Sequence, residues 1–562
     1  MLKYLFLSTA VFIFSASLSA QPRSKQEMLQ IASQKLDAKV TRATSEPIEI
    51  LMQDDMYSIL GRKQQGFVVV SNDKLQDPIL AYSTETSFDS DNIPCGMKWW
   101  LQATSASLKE AKSRGNSLSF SPRKAPKAKV EPFMTSKWNQ DSPYNSKCPK
   151  VKDKTAPTGC VATAMAQILY YYKYPDASEG TGYYTKGESN MKYYIPINST
   201  YDWSLFKDSY ANAFFISDAE KEAIAQLMYD CGLASHMHYG ESASGTNVGK
   251  SGYGFGLNFR YDSLSVKYLE RAFYDTEEWL AIVRQELEAG NPILYSGVSP
   301  AEGGHAFVFH GIDEDDLVYV NWGWGGRSDC WCNISNLSPT ESQGFNEEQG
   351  MLVGLKKQPT PDPDETFQSL WIIKERGKIS QMFKPSGSFN VSTFTAYNDY
   401  CLPFYGSIGL YMEKTDGSED LFVPFMTTIK PDGLMESPLE CGLGYPVDLQ
   451  SISAEMLDTL GAGSYYAYLA SYAFQDTKPQ AMKYEGGLTD VYTITIAENR
   501  QLTIDGMEPV KNFTPTAIKS IYVSTPDAPV RYYDLSGHEV SGSARGLLIV
   551  KKGNQVSKII SR

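Results

Sequence analysis

The period of the apolar positions changes along this chain, and the changes divide it. Between residues 24 and 36, Met28, Leu29, Ile31 and Ala32 recur at helical spacing. Tyr57 to Leu60, Gly66 to Ser71 and Ile79 to Tyr82 are short β-rich runs separated by turn residues, so residues 21 to about 120 form a small α+β pattern. Helical spacing returns in 155–172. Pro157, Thr158 and Gly159 are start signals there, and Val161, Met165, Ile168, Leu169 and Tyr172 make an apolar stripe that Pro175 ends. Residues 303–312 read as a strand, 313–316 as a turn and 317–322 as the returning strand. From Phe367 to about Pro509 the runs are short, alternating and turn-bounded, as in 387–392 and 407–412, which predicts an all-β sandwich. Beyond Pro515, residues 530–537 and 546–550 are strands around turns, too few for a sizeable core of their own.

Two breaks separate these blocks. Ser121 to Val130 holds four basic residues, two prolines and no acid, and reads as an exposed linker open to proteolytic nicking. Gln358 to Asp364 carries three prolines that prevent regular structure. The first twenty residues run from Lys3 through an apolar stretch to Ser15-Ala16-Ser17-Leu18-Ser19-Ala20, the pattern of a cleaved secretory signal peptide and too short for a spanning helix. The expected organisation is therefore 1–20 signal peptide, 21–130 small α+β block with its basic linker, 131–358 chemistry-bearing domain, 359–510 Ig-like β-sandwich and 511–562 C-terminal β segment. No later stretch is long and apolar enough to span a bilayer, so an exported soluble or surface protein without a membrane span is expected.

At 562 residues, with 42% hydrophobic and 21% charged positions, the chain can bury several cores. Its net charge of -13 makes nucleic acid a poor partner. The eight cysteines, at 95, 148, 160, 231, 330, 332, 401 and 441, are too scattered for a small disulfide scaffold. Cys330-Trp331-Cys332 has the look of half a metal site, but no second close pair completes a zinc ribbon.

Only five histidines can serve as base or ligand, and neither His-Glu-x-x-His nor Gly-x-Ser-x-Gly occurs. His236-Met237-His238 reads as packing or solvation before it reads as a chelate. Gly245 to Ser251 imitates a phosphate loop with one residue too few between the glycines, and Gly252-Tyr253-Gly254-Phe255-Gly256 makes a poor helix start after it. Cys160, in contrast, falls in the first turn of the predicted helix, where unpaired N–H groups and the dipole favour a thiolate. A small buried Cys explains that segment equally well. His305 breaks the tie. The midpoint of His305 and Asn321, (305 + 321)/2 = 313, lies in the predicted turn, so the hairpin is expected to set Asn321 beside His305 as the acceptor that fixes its tautomer. A strand histidine satisfied by some neighbour is the plainer alternative.

Trp138-Asn139-Gln140, Thr158 to Ala164, Gly304 to Val308 and Val320 to Gly326 together resemble the streptopain family of secreted bacterial cysteine endopeptidases, over about Phe133 to Lys357. The separation 305 − 160 = 145 also lies in the window of papain-type Cys and His residues. The resemblance implies an α+β papain-like domain, a zymogen whose residues 21–120 inhibit it, protein and peptide substrates, and no cofactor or metal. It implies Cys160 as nucleophile, His305 as general base, Gln140 with the Cys160 N–H as oxyanion donors, and Asn321 and Trp322 as imidazole supports. Ser244 and Gly304 line the substrate groove in this reading. The chain departs from the family pattern at Phe309-His310 and at Cys330-Trp331-Cys332. Tyr532 to Gly537 is similar to C-terminal sorting or surface-attachment domains of Bacteroidetes secreted proteins. Two other classes fit less well: a silent adhesin keeping a protease-shaped domain, and an acyl-transfer enzyme using the same dyad.

Overall fold

The computed structural model describes residues 21–37, 46–113, 127–211, 215–262, 265–271, 274–299, 303–334 and 349–357. Beyond them it describes 371–373, 379–380, 386–398, 404, 406–427, 444–473, 478–484, 488–511, 513, 530–533, 539–540, 546–552 and 555–561. The signal-peptide pattern, most of the basic linker, the Pro-rich break and residues 534–538 lie outside the described residues.

The N-terminal block consists of α1 (Lys25–Asp37), the meander β1 (Glu49–Gln53), β2 (Tyr57–Gly61), β3 (Phe67–Ser71) and β4 (Ile79–Ser83), and α2 (Cys95–Ser113). After the linker come the short hairpin β5 (Lys150–Val151) and β6 (Lys154–Thr155), then α3 (Cys160–Tyr172), the hairpin β7 (Thr181–Lys186) and β8 (Ser189–Pro196), α4 (Asp218–Ala234), β9 (His238–Tyr239) and α5 (Val248–Leu257). The block closes with β10 (Lys267–Glu270), α6 (Thr276–Glu288), β11 (Ile293–Ser299), β12 (Gly303–Ile312), β13 (Val318–Asn321), β14 (Cys330–Cys332) and β15 (Gly350–Val353).

Both blocks share one antiparallel sheet, in the order β1-β2-β3-β4-β14-β13-β12-β11-β15-β10. The seam is the β4–β14 pair, with Tyr82 opposite Trp331 and Ala81 opposite Cys332. Strand side chains alternate between faces, so each face has its own core. One face carries α2 and α6, with Trp99, Trp100, Trp279, Tyr295, Phe307 and Trp322 fully or almost fully buried. Toward the N-terminal end of the sheet, the other face packs α1 through Met28, Ala32 and Leu36. Further along, Ala306, Val308 and Leu352 pack into the core built around α3, α4 and α5.

The predicted helix over the Cys160 segment is α3. It ends where Lys173 turns left-handed (φ 49°), two residues before Pro175. Two expectations need correction. The glycines of 252–256 do not prevent a helix: α5 runs through them, started by Asn247, whose side chain accepts the Gly249 N–H, and Gly254 lets it approach α4 so closely that a Cβ would stand 2.7 Å from the Ala234 carbonyl oxygen. The β12–β13 hairpin does not turn about residue 313. Asp313 still belongs to the turn's entry, its carboxylate accepting the N–H groups of Asp315 and Leu317, so the reversal falls later and Val308, not His305, lies opposite Asn321.

The described residues between 371 and 511 are all-β. A small sheet of Ile379–Ser380, Ser388–Val391 and Gln450–Ser453 shares a core with a larger sheet containing Gly406–Lys414, Gly463–Ala473 and Leu488–Ile496. The C-terminal strands Val530–Tyr533, Glu539–Val540, Gly546–Lys552 and Gln555–Ser561 form a separate four-stranded sheet. Among the described residues, no helix is long and apolar enough to cross a membrane.

Candidate active site

Cys160 opens α3, behind a glycine with φ +87°. Only glycine fits there: a Cβ would meet the Met237 thioether at 2.8 Å and the Ser244 carbonyl at 3.0 Å. The start of α3 is fixed by Thr163, whose N–H and hydroxyl both donate to the Gly159 carbonyl, and by Thr158, 2.8 Å from the Thr163 hydroxyl. The Thr158 N–H donates to the Gln140 carbonyl, which holds Gln140 beside the entry to the helix.

The strand that faces this helix start is β12. Ala306 N–H donates to Cys160 Sγ at 3.3 Å, which brings the backbone of β12, one residue after His305, to the start of α3. His305 is half-buried and paired with Gly297 of β11; Gly304 is exposed and paired with Val298. The helix start does not by itself yield a thiolate in this state. Burial pushes the Cys160 thiol above its ordinary range, opposed by the N–H groups of Ala306, Val161 and Cys160 itself.

Asn321 is engaged elsewhere. Its amide donates to the Ser136 carbonyl at 2.7 Å and to Gln167 Oε1 at 3.0 Å, and its oxygen accepts the Gly323 N–H at 2.9 Å. Gln167 is fully buried in the middle of α3 and also reaches the Trp138 N–H. Asn321 thus ties β13 to the nucleophile's helix. Trp322 is buried edge-on to Phe307, with ring centroids 4.9 Å apart, and donates its indole N–H to the Ser328 carbonyl. Its backbone N–H goes to Asp329, a buried carboxyl pushed up to about 7, chiefly by burial. Ser244 is half-buried, in the loop whose carbonyl touches Gly159. The sequence reading missed Gln167 and Asp329. A lone Gln inside the apolar stripe of α3 is the one signal that pointed to the first.

The propeptide-side helix α2 lies over β11 and β12. Trp99 donates its indole N–H to the Val298 carbonyl at 2.9 Å, and its ring fills the place a side chain at Gly297 would take, directly across from His305. Gly96 rests on Trp322 and Phe307. The other histidines among the described residues stand apart. His236 stacks on Tyr183 at 3.9 Å, His238 bonds the Thr185 hydroxyl, and His310 is buried and accepts the Met134 N–H.

A helix begun by a cysteine, packed on a histidine-bearing strand and covered by an N-terminal block, is the framework of a papain-like cysteine peptidase held with its propeptide. The comparisons agree. A family model described as Peptidase C10 family matches residues 138–332, and one described as Spi protease inhibitor matches residues 20–108. Streptopain of Streptococcus pyogenes is 34% identical over 320 residues, spanning 52% of this chain and 78% of that protein. The thiol protease/hemagglutinin PrtT of Porphyromonas gingivalis is 26% identical over 348 residues, spanning 57% of this chain and 40% of that protein. Among solved structures, a fragment of Prevotella intermedia prointerpain A superposes with a TM-score of 0.51 at 35% identity, covering 56% of this chain and 100% of the fragment. The chain belongs to the peptidase C10, or streptopain, family. It is a cysteine endopeptidase made as a zymogen.

Proposed function

We propose that Cys160 and His305 are the nucleophile and general base of this endopeptidase, and that the enzyme is exported and acts on proteins and peptides outside the cell. The observation that carries the dyad is the 3.3 Å contact of Ala306 N–H with Cys160 Sγ, because it brings the histidine's own strand to the start of the nucleophile's helix. His305 takes the thiol proton as sulfur attacks the peptide carbonyl, then delivers it to the departing amine. Water, deprotonated by His305, hydrolyses the acyl-enzyme. The Cys160 N–H and the Gln140 side chain receive the developing oxyanion. Ser244 and Gly304 border the groove in which substrate backbone lies. Trp322 shields the imidazole, while Asn321 supports the site through Gln167 and α3.

Export rests on the pattern of residues 1–20, and a sorting or attachment role for 511–562 on the likeness of Tyr532 to Gly537. Casein digestion under reducing conditions tests the dyad: the wild type is expected to cleave, and Cys160→Ala and His305→Ala to be inert. Retained activity in either variant overturns the assignment.

A further inference from the structure

Cys330 and Cys332 take no part in the chemistry above, yet their sulfurs stand 3.3 Å apart in β14, both fully buried. Residues two apart on a strand share a face, and these two share the core of α2. Trp100 of α2 donates its indole N–H to the Asn333 carbonyl, one residue beyond the pair. Their strand is also the one on which the propeptide docks, through Tyr82–Trp331 and Ala81–Cys332 pairing. Burial, with Cys330 beside it, holds the Cys332 thiol protonated in this covered state. When the propeptide departs, α2 and β4 leave together. The dithiol loses its cover, and β14 becomes the edge of the sheet.

We propose that Cys330 and Cys332 are a redox ratchet: uncovered by propeptide release, they close to a disulfide that prevents the propeptide from docking again. The oxidant is a low-molecular-weight disulfide of the glutathione class. One cysteine thiolate attacks it and forms a mixed disulfide with release of one thiol. The second cysteine thiolate then displaces the remaining half. The new S–S bond costs two cysteine protons and two electrons, which leave on the two departing thiols.

Geometry supplies the consequence. In an extended strand, Cα atoms two residues apart are separated by about 6.6–6.8 Å, the upper end of the roughly 4.4–6.8 Å that disulfides span. Closure therefore draws β14 shorter than an extended strand. Trp331 then leaves its stack on Tyr82, now at 6.1 Å, and the edge no longer matches β4.

The test uses the full chain carrying Cys160→Ala, nicked in the linker by an added trypsin-type protease, so that its outcome is independent of the catalytic assignment. Propeptide co-eluting with the remainder is followed in reduced glutathione and in glutathione disulfide. Under glutathione disulfide, apparent affinity should fall roughly tenfold or more, as expected for losing the edge-strand hydrogen bonds and the Trp331 contact. Reductant should restore it, and peptide mapping should find Cys330 joined to Cys332. Cys332→Ser should remove the redox dependence. Equal co-elution in both states, or mapping that finds the two cysteines unjoined in the freed chain, overturns the ratchet. If Cys332→Ser does not fold, the mapping decides on the unsubstituted pair.

Discussion

At Cys160 two opposing influences meet: an N-terminal helix position that favours the thiolate, and burial that disfavours it and prevails in the covered state. Cys160→Ala should lower peptide cleavage by roughly a thousandfold or more and leave the precursor uncut; intact mass and casein digestion check both. Asn321 requires a different expectation from the one its spacing suggests. Because its amide is satisfied by Gln167, Ser136 and Gly323, Asn321→Ala strands buried partners at a cost of about 1–3 kcal/mol. Melting temperature and turnover should fall together, with the acid limb of the pH-rate profile unmoved. Gln167→Ala should do much the same, and the double variant should cost less than the two singles summed. Asp329 adds a pH dependence. Its folded pKa lies near 7 against an ordinary 3.8, so between these values the folded chain binds more protons than the unfolded one. Stability should then drop by roughly 1.4 kcal/mol per pH unit on rising from 4 toward 7. Asp329→Asn should flatten that slope in denaturant titrations at stepped pH.

Among elements, α2 gives latency a specific anchor. Trp99→Ala removes the ring seated on Gly297 and the bond to Val298, and truncations of this kind cost roughly 3–5 kcal/mol. The uncut precursor of that variant should cleave a small peptide measurably faster than the wild-type precursor; equal latency would move the block elsewhere. The elements themselves were legible locally. Val161, Met165, Ile168 and Leu169 specify α3, and the apolar run from Ala306 to Phe309 specifies β12, because period and length depend on neighbours alone. Register was not legible. It depends on whether Asp313 ends the strand or centres the turn, and its two carboxylate–amide bonds decide that in a way no hydrophobic pattern records. The Cys160 and His305 segments were read from local start signals, strand period and motif, whereas the place of Asn321 was inferred from symmetry across the hairpin, which holds only when the turn is centred.

On the scale of the whole molecule, the linker has two parts. Lys127 pairs with Asp316 at 2.7 Å, the Ala128 carbonyl accepts from Arg284, and Val130 bridges to Ile312, so the segment from 127 onward already belongs to the catalytic domain. Activation should therefore cut on the N-terminal side of Lys127, a narrower window than the basic composition of 121–130 suggested. Mapping processed N-termini in wild type beside Cys160→Ala checks this, and a mature chain beginning after Val130 would contradict it. The joined sheet itself was beyond sequence reading. Each strand announces its existence, but nothing local in Ile79 to Ser83 names β14 as its neighbour.

That seam also bears on how the molecule comes to be folded at all. Tyr82 and Trp331 are 331 − 82 = 249 residues apart, yet they are paired in adjacent strands. Contacts so distant in sequence form slowly, since a long loop must close before it is rewarded. With its propeptide in place, the catalytic half assembles on strands already made. Once the propeptide is cut away, that template is gone while the product remains. The mature enzyme's persistence then rests on the height of its unfolding barrier more than on any equilibrium it could regain, and a denatured mature chain should return to activity far more slowly than the denatured precursor returns to its native form.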